Sequence, residues 1–118
     1  MTNRWMDGCP FCRIVRGETS TRLLYQDDLV TAFPDIHPIA PHHYLIVPNV
    51  HLESVNEVAP EHEAALGRMF IVARHLAETY HVAQSGYRLI VNTGPHAGQS
   101  VFHLHMHFIA GRHMPFRA

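Results

Sequence analysis

The chain has 118 residues, 47% of them hydrophobic and 16% charged, which is enough apolar material for one buried core and too little length for two. That balance excludes wholesale disorder, and nine basic against ten acidic residues give a net charge of -1, which excludes a broad basic field for nucleic acid. No stretch approaches the roughly 18 consecutive apolar residues of a membrane span, and two cysteines cannot build a disulfide framework.

The N-terminal MTNRWMDGCPFC lacks the apolar run of a signal peptide, so the expectation is a soluble, cytoplasmic, single domain over residues 1–118, with loose ends at 1–8 and 113–118. After Cys9-Pro-Phe-Cys12, Arg13 to Gly17 is expected to form a short helix stopped by Gly17. Leu23 to Gln26 and Leu29 to Phe33, split by Asp27-Asp28, read as a hairpin. Three prolines in PDIHPIAP then break regular structure and leave a loop suited to a ligand lip before the apolar run Tyr44 to Val47, which Pro48 ends. From Pro60 to Tyr80, Ala65, Leu66, Met69, Val72, Ala73, Leu76 and Tyr80 recur at three- and four-residue spacing, the pattern of one long amphipathic helix. Tyr87 to Asn92 and Val101 to Ile109 complete the strands, so the fold class is α+β with a mostly antiparallel sheet of about five strands.

Twelve histidines outnumber the Lys and Arg residues, and three of them, His103, His105 and His107, alternate with Phe102, Leu104, Met106 and Phe108. On a strand this puts three imidazoles on one face and the apolar residues on the other. A lone histidine is ordinarily a surface or satisfied core residue, but three together would repel if charged and would each need partners for two nitrogens, so a purely structural role is costly.

The run His-φ-His-φ-His-φ-φ, with φ apolar, resembles the signature of the histidine triad (HIT) superfamily of nucleotide-binding hydrolases and transferases. Gly98-Gln99-Ser100-Val101 before it and Ala110-Gly111-Arg112 after it look like flanking elements of the Hint branch, and the likeness extends over about residues 9 to 114. It implies a HIT-like fold and a covalent mechanism in which His105 is the nucleophile toward the α-phosphorus of a nucleoside phosphoramidate or anhydride. His107, Asn92 and Ser100 would be donors to the phosphoryl oxygens, with Ser100 also near the leaving group. Asp35 matches the carboxylate that holds the ribose hydroxyls, the alternative being an exposed loop carboxylate. Phe33, Ile36 and Ile14 match the walls of a base pocket, the alternative being plain core, and Gln99 of the GQS element counts among the substrate-binding residues.

Cys9 and Cys12 make half of a tetrahedral zinc site, and the resemblance supplies His51 and His103 as the other half, with a structural role because four protein ligands leave no open position. The competing reading is a redox CxxC, for which the strand-CxxC-helix pattern is missing. The implied ligand is a purine nucleotide, as an AMP conjugate, and the implied assembly a homodimer through the long helix and the Tyr87 to Asn92 strand. No nucleic acid or membrane partner is expected, and Phe116 stands where relatives carry a tryptophan that reaches the partner's site. Alternatives to a phosphoramidate hydrolase are a dinucleoside polyphosphate hydrolase and a zinc-stabilised nucleotide-binding module with little turnover. The other eight histidines, His37, His42 and His43 among them, match no assigned role.

Overall fold

The computed structural model of the chain describes residues 8–115, so Phe116 and most of the N-terminal arm lie outside the described residues. The elements are α1 (Pro10–Val15), β1 (Tyr25–Gln26), β2 (Val30–Pro34), β3 (His42–Pro48), α2 (Glu63–Thr79), β4 (Tyr87–Ile90) and β5 (Met106–Ala110). The five strands form one antiparallel sheet in the order β1-β2-β3-β5-β4. With its long helix and short N-terminal helix, this is the expected α+β architecture.

Period-two alternation divides the sheet. Val30, Ala32, Tyr44, Ile46, Met106 and Phe108 point to one face and bury against Met69, Val72, Ala73 and Leu76 of α2. Phe33, Leu45 and Val47 point to the other and pack against Cys9, Phe11 and Cys12 of the α1 segment. The long helix therefore shields the back of the sheet, and the small one builds on the front.

α1 starts earlier than the sequence reading because Cys9 caps it: its Sγ accepts the Cys12 N–H at 3.2 Å, and Pro10 occupies the first turn, where no donor is lost. Pro60 to His62 is a 3-10 turn rather than the first turn of α2. α2 ends in a Schellman motif, with Val82 N–H donating to Ala77 C=O at 2.9 Å and His81 at φ 60 taking the left-handed position usually filled by glycine.

The largest departure is the last strand. Regular pairing begins at Met106, so Val101 to His105 lies outside the ladder, with bends at Val101 to His103, and Phe102 is 49% exposed instead of buried. The β3–β5 ladder stops at the Ile46–Met106 pair. Beyond it, Pro48 has no N–H to give, and its carbonyl accepts from His103 Nε2 at 2.9 Å. The three histidines consequently do not stand in a simple row.

The hairpin between β1 and β2 is tied to α2 by one carboxylate. Asp27 Oδ1 accepts from the Leu29 and Val30 amides at 2.7 and 2.9 Å, and Oδ2 accepts from Tyr25 Oη at 2.6 Å and from the Arg68 guanidinium. Burial pushes this carboxyl up, but the four donors together outweigh it and hold the group well below the usual carboxylate range. Asp27→Asn is expected to destabilise by about 1–3 kcal/mol in urea titrations at pH 7. Because the folded-state pKa is the lower one, the difference from wild type should be full above about pH 4 and shrink as the pH falls further.

Candidate active site and metal cluster

One and a half turns of α1 bring Cys9 and Cys12 together and aim both thiols at two histidines distant in sequence. Cys9 Sγ lies 3.3 Å from His103 Nδ1, Cys12 Sγ lies 3.3 Å from His51 Nδ1 and 3.5 Å from His103 Nδ1, and the two Nδ1 atoms are 3.3 Å apart. A tetrahedron with metal–nitrogen bonds of about 2.05 Å and metal–sulfur bonds of about 2.3 Å has edges of about 3.3 Å between nitrogens and about 3.6 Å between nitrogen and sulfur. The tautomer also fits. His103 donates its Nε2–H to Pro48 C=O, so its Nδ1 carries the lone pair, and burial pushes its pKa down to about 4. Cys9, Cys12, His51 and His103 could hold a metal ion, and three of the four are buried.

Each remaining triad histidine has its tautomer set by a different partner. His105 Nδ1 lies 2.7 Å from the His103 carbonyl, which can only accept; in the neutral ring the proton is on Nδ1, and Nε2 is a free nucleophilic lone pair. His43 Nδ1 accepts the Ile39 N–H at 3.2 Å, so a neutral His43 is protonated at Nε2. That Nε2–H faces His107 Nδ1 at 3.0 Å and Asp35 Oδ2 at 3.3 Å. His107 must then hold its own proton on Nε2, as a donor. Burial, followed by the neighbouring His105 and His43, pushes His107 down to about 4, and burial lowers His43 despite the Asp35 carboxylate.

A cavity of about 420 Å³ opens over these groups. His105, His107, Asn92 and Ser100 line it together with Phe33, Asp35, Ile36 and Ile14. A nucleophile, a line of donors, a carboxylate and an apolar slot thus share one opening, which is the requirement for holding a phosphoryl group beside a nucleoside.

A family model described as "Scavenger mRNA decapping enzyme C-term binding" matches residues 8–117. The purine nucleoside phosphoramidase of Escherichia coli K12 is 55% identical over 102 residues, 86% of each chain. A HIT family hydrolase from Legionella pneumophila is 37% identical, with a TM-score of 0.89 over 92% of this chain and 97% of that one. A histidine triad protein from Clostridium difficile is 35% identical, with a TM-score of 0.91 over 96% and 98%.

The chain belongs to the histidine triad family.

In this histidine triad protein the expected site residues gather around the cavity with one exception. Gln99 is 4% exposed and lies beneath the loop: its Oε1 accepts from Gly94 N–H at 2.8 Å, and its Nε2 donates to Glu53 and Val101 carbonyls at 2.7 and 3.1 Å. Its amide shapes the loop that carries Ser100 instead of facing the cavity.

Two functional side chains escaped the sequence reading. His43 fell outside the expected strand Tyr44 to Val47, although the same alternation that places Leu45 on the front of the sheet places His43 beside it. Phe11, between the two cysteines, stands edge-on to His105 with ring centroids 5.2 Å apart and to Phe33 at 5.3 Å, so the helix that carries the thiols also walls the cavity.

The lowered histidines make the fold acid-sensitive. The unfolded chain takes up protons near pH 6.5 at His43 and His107, whereas the folded chain resists until lower pH, at about 4 for His107. In that window the unfolded state binds more protons, so stability falls as the pH drops. Urea midpoints at pH 7 and pH 5 should differ less for His107→Asn than for wild type; equal differences would show that His107 carries none of the effect.

Proposed function

We propose that this protein is a nucleotide hydrolase that cleaves purine nucleoside phosphoramidates and related nucleoside monophosphate conjugates through a covalent nucleotidyl-His105 intermediate. The observation that carries the reading is the pairing of a free Nε2 lone pair on His105 with a carboxylate and an apolar slot in one cavity. The relative's name, purine nucleoside phosphoramidase, points the same way.

In this reading Phe33, Ile36 and Ile14 hold the base by contact, and Asp35 accepts from the ribose hydroxyls. His105 Nε2 attacks phosphorus as the P–N bond breaks, and the departing amine takes a proton relayed by Ser100. His107 Nε2–H, Asn92 and Ser100 donate to the phosphoryl oxygens, where charge gathers in the transition state. Water then attacks phosphorus, the His105–P bond breaks, and the proton released returns along the same path. Two easier displacements replace one hard one.

The metal we assign to Cys9, Cys12, His51 and His103 is zinc, which suits two thiolates and two imidazoles and would act as a structural clamp. Cytoplasmic residence accords with a metal site built on two thiols, since a reducing compartment keeps thiols available as ligands. No helix among the described residues is long and apolar enough to cross a membrane.

A homodimer is supported by the apolar surface on the back and edge of the sheet. Phe70 and Ile71 on the outer side of α2 are 59% and 63% exposed, Val55 and Val91 are nearby in exposure at 48% and 39%, and β4 is an edge strand with unpaired backbone groups. Sedimentation at micromolar concentration should give twice the chain mass; a monomer would overturn the dimer.

Comparing turnover of adenosine phosphoramidate with that of diadenosine polyphosphates tests the substrate class. Faster cleavage of the phosphoramidate is expected. Background rates on both, despite measurable AMP binding, would replace the hydrolase with a binding module.

A further inference from the structure

All nine basic residues of the chain are arginines. Among the described ones, Arg13 and Arg16 pair with Glu18, Arg68 with Asp27 and Arg74 with Glu78. Arg22, Arg88 and Arg112 have no carboxylate partner among the described residues, and the last two stand together. Arg88 Nη2 donates to the Met114 and Pro115 carbonyls at 3.1 and 3.2 Å. Arg112 donates through Nε to Ile39 C=O and through Nη1 to His113 C=O, both at 3.1 Å. Four neutral carbonyls therefore hold two guanidiniums in place without cancelling their charge, and much of the rotamer entropy of binding with them is already lost.

Both arginines line one hollow of about 250 Å³, floored by Ile90 and Ile109. Its position follows from the register. Ile90 pairs with His107 and Arg88 with Ile109, while Leu89 and Tyr87 turn to the core behind. His107, Ile109, Ile90 and Arg88 consequently share the front face of the sheet, and the hollow begins one residue pair past His107, about 7 Å along the strand. It lies on the β4 side, whereas Phe33 and Asp35, which take the nucleoside in the reading above, lie on the β2 side. A substrate whose phosphorus sits at His105 and His107 with its nucleoside toward Phe33 has its other substituent free to reach this hollow.

We propose that the hollow between Arg88 and Arg112 is a subsite for an oxyanion carried on the portion of the substrate that leaves from phosphorus, either the carboxylate of an amino-acid amine or a distal phosphate. This rests on the nucleotide-hydrolase reading and adds its leaving-group specificity. Apolar flooring with two fixed guanidiniums suits a short chain ending in a carboxylate, since a charge-assisted bond to a guanidinium is stronger than a neutral one and its planar fork matches a carboxylate.

The test uses the adenosine phosphoramidates of glycine and of glycine methyl ester, together with diadenosine triphosphate. Wild-type protein should favour the carboxylate over the ester by about tenfold in kcat/KM, with the ratio shrinking at high ionic strength. Arg112→Gln and Arg88→Gln should each bring the ratio to within about twofold of unity, and Arg112→Lys should keep most of it. The same ratio is read without turnover as Kd on His105→Ala protein. Equal affinities and rates for acid and ester, or a ratio unchanged in both Gln variants, would overturn the carboxylate subsite. An advantage of diadenosine triphosphate over the ester that disappears in Arg112→Gln, with none for the carboxylate, assigns the oxyanion to phosphate and supports the subsite. An affinity ratio that persists while neither conjugate is cleaved sinks the hydrolase reading and leaves the subsite standing.

Discussion

His105→Ala protein is expected to turn over adenosine phosphoramidate at least about 10⁴-fold more slowly than wild type while binding AMP within a few-fold of it. The asymmetry follows from where the contacts lie. In the proposed reading ground-state affinity comes from Asp35, Phe33, Ile36 and Ile14, none of which bonds to phosphorus, whereas the bond to His105 Nε2 exists only along the reaction path. His105→Gly should behave in the same way. Acid-sensitive nucleotidyl-protein should be trapped from wild type in a rapid quench and be missing from both variants, and the two successive displacements should retain configuration at phosphorus. Inversion would mean direct attack by water. His107→Ala should cost less, about 10²- to 10³-fold, because Asn92 and Ser100 remain as donors. Near-normal turnover in His105→Ala would overturn the nucleophile.

Removal of the proposed zinc is expected to have the second large effect. Without the ion, α1 is held to the sheet by the small cluster around Phe11, Phe33, Leu45 and Val47 and by the Gln26 Nε2–H bond to the Val15 carbonyl, and two buried thiols and a buried imidazole are left facing one another. Chelation should lower Tm by about 10–20 °C, in line with the loss of about 3–4 kcal/mol that a tightly bound native-state ligand supplies. The Cys9→Ala, Cys12→Ala double variant should start at the lower Tm, contain no metal and ignore the chelator. Turnover should also drop, by about 10- to 100-fold, because the His103 carbonyl that fixes the His105 proton belongs to a residue of the metal cluster, and Phe11 against His105 belongs to the cysteine turn. Full metal content in the double variant would rule out this ligand set.

Local patterns in the amino-acid sequence determined the long helix, the hairpin at Asp27-Asp28 and the fold class, because apolar spacing of three and four residues or of two is a property of short segments. The spacing of Cys9 and Cys12 and the His-φ-His-φ-His run likewise carried most of the site, since residue type and order are enough to recognise a motif whose geometry comes later. Only the tertiary structure decided what each histidine does. The Pro48 carbonyl leaves His103 with its Nδ1 lone pair toward Cys9, Cys12 and His51, the His103 carbonyl leaves His105 with a free Nε2 lone pair, and His43, whose own proton is placed by the Ile39 amide, leaves His107 with its proton on Nε2. Those partners are main-chain groups and a histidine brought in by strand pairing across dozens of residues, and main-chain groups have no identity in a sequence. The early end of the β5 ladder has the same origin. Alternation in Val101 to Ile109 is ideal for a strand, but a strand needs a neighbour, and the neighbour's Pro48 has already given its carbonyl to His103.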